Sequence, residues 1–395
     1  MAIWKSPVPM LLYSRPASIL ALAAALSLSI VQPASSAKPV EGKDIFRFDT
    51  FGDEQLWTDT LRIHEVIETA VGPVAALAVG LKVDAEALPP GFLATHDLND
   101  PATTVELIRR RAVVGLVGKV VGGRLQTLGV TCALCHSTVD NSVAPGIGKR
   151  VDGLANRELN PGAIIALSPN LTDAQRAVYN SWGAGRYDAR FNIDGINRPV
   201  PIPAASGLQG VGFETYTGDG PISYWNNYVA VTQMGGHGSF SDARLGINII
   251  QTPDLVVEKL PALLSYQLGL LTPPPLPASF NPAAARRGRQ VFRGTAKCAS
   301  CHIPPTYTDV LAGPDPSVPL LHDASETGME PVHASRSATG QYRTTPLRGL
   351  AQHPPYFHDG SAASLAAVVE HYNQVRALGL SASEKADLVE FLKSL

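Results

Sequence analysis

Apolar residues first concentrate at 17–31, a run without a charged residue, preceded by Lys5 and Arg15 and followed by the small residues Ser35 and Ala37. A positive start, an apolar middle and small residues ahead of a cleavage point form the pattern of an export segment. Residues 1–37 are therefore expected to be a signal peptide, and the remainder periplasmic or secreted, with an uncleaved membrane anchor as the alternative. A second apolar stretch, 71–83, contains Gly72, Pro73, Gly80 and Lys82. It is too short and too interrupted to cross a membrane, so it is expected to be buried, with no transmembrane domain after signal cleavage.

Helical spacing is clearest near the end. Leu388, Phe391, Leu392 and Leu395 fall on one face behind Ser381 and Glu384, which form a capping box. Asn281 and Pro282 cap an expected helix through 292, and 361–372 also reads as helix. Earlier, short helices are expected at 64–70, around 105–116, and from Thr172 with Gln175 to Trp182. The stretch 191–220 is rich in Gly, Pro and Asn and reads as fixed loop rather than strand. Between these regions lies Thr272-Pro273-Pro274-Pro275-Leu276-Pro277, a stiff extended crossing. The expected organisation is mainly α, with one unit at 38–280 and a second at 281–395.

Composition narrows the function. The formal net charge of -2 gives no broad basic surface for nucleic acid or anionic membranes. The chain holds 35 Gly and 32 Pro, a share that favours long, specifically shaped loops over an idealised helical bundle.

The chemistry lies in the four cysteines. They form Cys132-Ala133-Leu134-Cys135-His136 and Cys298-Ala299-Ser300-Cys301-His302, with none left over. Each matches the c-type haem attachment signature. Two thiols three positions apart on a short turn can each bond one vinyl group of a haem, and the next histidine then sits under the iron. Two covalently bound haem c groups are expected, held by Cys132, Cys135, His136, Cys298, Cys301 and His302. Two local disulfides are an alternative, but each would close a tiny strained loop. A single zinc site made of the four thiols is another, and it leaves both histidines unexplained.

Further ligands are drawn from a small set. Outside the signal segment the only methionines are Met234 and Met329. Met329 lies in a polar loop after His302, where it has no obvious core role, and ranks first as a sixth ligand. His371 and His358 are the alternatives. Near the first haem, Met234 and His237 sit in a glycine-rich loop, where the backbone can approach a flat cofactor. His237 is a candidate ligand or proton shuttle, or a plain loop histidine. Arg343 and Arg348 flank an apolar Pro346-Leu347 turn and are candidates to pair with haem propionates. Trp182 and Trp225 are candidates to lie between the haems, although a large aromatic more often packs a core.

The stretch 340–350, then His353-Pro354-Pro355-Tyr356-Phe357-His358-Asp359-Gly360-Ser361, resembles the second haem domain of the bacterial dihaem cytochrome c peroxidase and MauG-like family. The resemblance covers 281–395 and, in the first unit, rests on 132–136. It implies two cytochrome c-like haem domains with long Gly/Pro-rich loops. It also implies an electron-accepting haem at His302 and a reactive haem at His136 that reduces hydrogen peroxide or another small oxidant. The implied electron donor is a small soluble monohaem cytochrome c or copper protein, and Glu214 is implied as a distal acid–base group. Related peroxidases hold a calcium ion, but no acidic cluster marks such a site here. The long segment before the first haem is more distantly similar to dihaem rubber oxygenases, which leaves haem-dependent oxidation or oxygenation of an organic substrate as an alternative. A non-catalytic dihaem electron carrier is the other.

Overall fold

The computed structural model describes residues 41–311 and 320–395; the expected signal peptide lies outside the described residues. About 41% of the described residues are helical and 13% extended. The protein is thus mainly α, and every sheet among the described residues is a two-stranded piece. No helix among the described residues is long and apolar enough to cross a membrane.

Buried apolar side chains fall into two clusters. The first is drawn from residues between Ile45 and Leu263 and includes Phe46, Ile108, Leu128 and Leu159. The second is drawn from residues between Phe292 and Leu392 and includes Tyr356, Leu365, Val369 and Phe391. Residues 271–276 run between them without regular structure, with Leu271 and Leu276 exposed.

In the first cluster the strands Leu116–Val121 and Arg124–Val130 pair antiparallel. Gly122 and Gly123 both have positive φ at the turn, the conformation that a tight hairpin of this kind requires. The second strand leads straight to Cys132, and it is pinned twice. Thr58 exchanges hydrogen bonds with the Leu128 backbone at 2.8 and 3.0 Å. The Asp53 carboxylate accepts from Val130 N at 3.1 Å, and burial pushes that carboxyl up to about 9. The helix expected around 105–116 is Pro101–Arg109. Asp100 caps it by accepting from Ala102 N at 2.9 Å, and Arg111 turns left-handed and ends it, so residue 116 opens a strand instead.

Other expected helices form as Ile63–Ala70, Asp173–Asn180, Pro282–Arg293 and Ala382–Lys393, and both capping boxes are made. The helix expected at 361–372 is Leu365–Val375. Its true cap is Ser364, which accepts from Ala367 N at 3.2 Å, while a bridge between Tyr356 and Ala362 keeps the preceding residues extended. Region 191–220 is mostly loop, with the short helix Phe191–Asp194 and the strand Val200–Pro201, which pairs with Arg186–Tyr187.

The loop 203–220 of the first part is strapped onto the second. Arg348 Nη1 donates to the Gly207 and Gln209 carbonyls at 2.8 and 2.7 Å. Arg343 N donates to Tyr216 O at 3.0 Å, and Gly212 N to Val310 O at 2.9 Å. Nearby, Arg336 bridges Asp188 and Asp194 at 3.0 and 2.7 Å. Bidentate and multiply bonded guanidinium groups of this kind fix relative orientation as well as adding stability.

Helices Pro282–Arg293 and Ala382–Lys393 cross at Gly288, where a Cβ would stand 1.9 Å from the Asp387 carbonyl oxygen. Gly288→Ala is therefore expected to force the helices apart and cost about 1–3 kcal/mol, read as a lower urea midpoint for unfolding of the second core.

Candidate functional site

The first Cys-x-x-Cys-His forms one helical turn, Ala133–His136, directly after the pinned strand. It sits close under Gly115, whose φ is +83° and whose Cβ would lie 2.2 Å from Leu134 Cα. Only glycine permits that approach. His136 N donates to Cys132 O at 3.2 Å, which closes the turn. Burial pushes both thiols up to about 12 and the imidazole down to about 4. The cysteines are thus neutral thiols and His136 a neutral base. Its Nδ1 lies 3.1 Å from the Pro203 carbonyl. A carbonyl can only accept, so Nδ1 carries the proton and Nε2 keeps a lone pair free for a metal.

The second motif repeats this logic in a tighter turn, Cys298–Ser300. His302 N donates to Cys298 O and His302 Nδ1 to Tyr307 O, both at 2.9 Å. Burial lowers the imidazole and pushes Cys298 up to about 11. All four cysteines are free; Cys132 and Cys135 pack against the first core and Cys298 against the second. The single four-thiol zinc site is therefore not formed.

Cys298, Cys301 and His302 border a cavity of about 690 Å³, within the range of cofactor pockets. Its walls include Phe292, Leu347, Tyr356 and Val369, and also Pro203, Ala204 and Tyr216 from the strapped loop. Buried donors at the site lack partners, among them Arg343 Nε, Arg157 Nε and Arg157 Nη1. A thiol pair, a neutral imidazole, apolar walls and unpaired cationic donors suit a flat apolar macrocycle that carries carboxylates.

The remaining sequence candidates separate by place. Met329 borders the cavity, held through its backbone N to Ala324 O at 3.0 Å. His358 also borders it; its Nε2 lies 3.1 Å from both Tyr342 Oη and Glu330 Oε1, and its Nδ1 has no partner. His371 instead donates through Nε2 to Thr327 O at 2.8 Å. Met234 is packed in the first core, its carbonyl accepting from Trp57 Nε1 at 3.0 Å. His237 is half-buried, its backbone fixed to Phe51 and Leu255. Trp182 stacks edgewise on Tyr187, and Trp225 donates to the Glu214 carbonyl at 3.1 Å; neither borders the cavity.

Glu214 and Arg343 come together. The carboxylate lies 3.0 Å from Arg343 Nη1, both are buried, and Arg343 borders the cavity. Burial raises the Glu214 carboxyl even against that arginine, and its Oε1 has no hydrogen-bond donor. Sequence reasoning missed four groups. His333 is stacked on His358 at 5.3 Å and lowered to about 2 by burial. His322 bridges Asp309 and Glu326, while His353 and Arg157 border the cavity. The His-x-x-x-Glu spacing from His322 to Glu326 was a readable signal; the others depend on loops brought together from afar. Cys301, Asp309 and His322 form the only metal-type cluster among the described residues. Its mixed S, N and O donors are unlike the all-oxygen set that calcium takes.

Because the folded state raises the Glu214 carboxyl, its favourable contribution is complete below the ordinary value of 4.5 and is lost as pH rises through the folded value. Arg343→Met leaves that carboxylate buried without its partner. The variant is expected to lose about 3–5 kcal/mol at neutral pH, and distinctly less near pH 4, in thermal unfolding followed across pH.

No family model matches the chain. It is 32% identical to cytochrome-c peroxidase IdrP2 of Denitromonas iodatirespirans over 140 residues, 27% of this chain and 38% of that protein. It is 34% identical to methylamine utilization protein MauG of Methylorubrum extorquens over 126 residues, 29% of this chain and 35% of that protein. The matches thus span well under half the length of these relatives. Among solved structures, a MauG-like protein associated with microbial copper homeostasis aligns with a TM-score of 0.36 at 20% identity, covering 50% of this chain and 73% of that one. Hydrazine synthase of Kuenenia stuttgartiensis aligns at 0.31 and 18%, covering 50% and 72%. Over somewhat more than a quarter of its length, the chain is similar to the cytochrome-c peroxidases and MauG.

Proposed function

We propose that this chain is an exported dihaem c-type redox enzyme with peroxidase-like activity, with haem-bearing domains at 38–280 and 281–395. The observation that carries the reading is the repetition of one local design. In each motif two free thiols precede a half-buried neutral imidazole whose Nδ1–H is tied to a backbone carbonyl. The similarity to proteins named cytochrome-c peroxidase and MauG supports the class. When bound, haem supplies electron storage at the second motif and peroxide reduction at the first, where two electrons and two protons convert hydrogen peroxide to two waters.

The chain's own residues orient and insulate. The Pro203 and Tyr307 carbonyls hold His136 and His302 in the tautomer that leaves Nε2 free. Met329 and His358 are the cavity-wall residues available as a sixth ligand at the second site. Glu214 holds a proton at Oε1 more readily than a solvated carboxyl does, because burial disfavours its charge. The electron donor under this reading is a small soluble cytochrome or copper protein.

Exported protein is expected to carry two haems by pyridine haemochrome assay. The double variants C132A/C135A and C298A/C301A should each carry one. Purified protein should oxidise a reduced monohaem cytochrome c in the presence of hydrogen peroxide, and both double variants should lose at least a hundredfold in that rate. Two attached haems that remain low-spin in electron paramagnetic resonance and do not respond to peroxide would identify an electron carrier instead.

A further inference from the structure

Arg157 belongs to the first part of the chain, directly after Asn156, whose N donates to Cys135 O at 2.9 Å. Its side chain nevertheless borders the cavity of the second motif. Nε and Nη1 are sealed from solvent and have no hydrogen-bond partner, and Nη2 reaches only the His353 carbonyl at 3.4 Å. Among the described residues no carboxylate pairs with it. Leaving buried donors unsatisfied costs about 1–3 kcal/mol per group, more where the group is charged. A guanidinium held this way is built for an anion that the chain itself does not provide.

The other cations around the cavity are already committed or solvated. Arg343 is held by Glu214 and the Phe213 carbonyl. Arg348 is held by the Gly207 and Gln209 carbonyls. His322 lies between two carboxylates, and Arg376 is exposed. Arg157 alone among these combines a seat on the cavity wall with two sealed, empty donors, Nε and Nη1, on a guanidinium that stays charged.

We infer that Arg157 binds a propionate carboxylate of the haem attached at Cys298 and Cys301, so that this cofactor is gripped by both parts of the chain. The inference rests on haem attachment at the second motif, proposed above. The cofactor then closes the interface chemically: thioethers fix one edge to the second part, and a charge-assisted pair fixes a carboxylate edge to the first. A freely diffusing carboxylate offers the same chemistry and is the competing source.

The test uses the wild-type holoprotein and its R157Q and R157K variants, each with two attached haems confirmed. Loss of the positive charge beside a propionate disfavours the ferrous state. In R157Q the ferric-to-ferrous ratio of the second haem at fixed potential should rise about tenfold, a lowering of about 59 mV for one electron. R157K keeps the charge but not the planar guanidinium donors, and should move the propionate-sensitive resonance Raman bands while staying within about threefold of wild type in that ratio. Should R157Q fail to fold, R157K carries the test alone through its Raman bands. Two attached haems with wild-type ratios and bands in the variants would overturn the assignment. So would wild-type protein whose second-haem ratio shifts on adding acetate while R157Q does not respond, since the guanidinium would then be free for outside anions. Absence of haem at Cys298 and Cys301 in wild type would overturn the haem reading itself and is distinguished by the haemochrome count.

Discussion

The organisation of both candidate sites depends on one interaction, the hydrogen bond from a half-buried histidine Nδ1 to a backbone carbonyl. Burial alone would leave His136 and His302 neutral but free to rotate and exchange tautomers. The Pro203 and Tyr307 carbonyls remove that freedom, and the carbonyl's inability to donate decides which nitrogen keeps its lone pair. For the carbonyls to stand there, the loops that carry them must be held. That requirement accounts for the arginine-to-carbonyl bonds along 203–220 and for the left-handed backbone at Tyr307.

The same requirement explains why a mainly α protein has so much irregular backbone. Helices Pro282–Arg293 and Ala382–Lys393 make a rigid base, but the cavity above them is walled largely by loop. Loops supply carbonyls and unpaired N–H groups in directions that a helix cannot, because a helix uses its own. The abundant glycine and proline thus serve as fixed connectors around the cavity, and Gly115 and Gly288 show how closely backbone is packed where it must be.

Much of this was legible in the residues. The Cys-x-x-Cys-His motifs are local, so their turns could be read directly. Thr172 with Gln175 and Ser381 with Glu384 carry their helix starts in four residues. The ends were less legible: Arg111 stops a helix by adopting a left-handed backbone that its side chain does not announce. Least legible were partners far apart in sequence. Glu214 reads as a lone acid and Arg343 as a lone base until folding sets them 3.0 Å apart. Arg157 carries no motif, and its importance comes only from what its surroundings withhold.

Pro203 belongs to both centres at once. Its carbonyl accepts from His136, and the residue also borders the cavity beside Cys298. The residue whose carbonyl orients the imidazole of one motif is therefore also part of the wall around the other. The two motifs are thus joined through shared residues, Pro203 on one side and the Asn156–Arg157 pair on the other, so the backbone that shapes one cavity wall also holds the other motif in place.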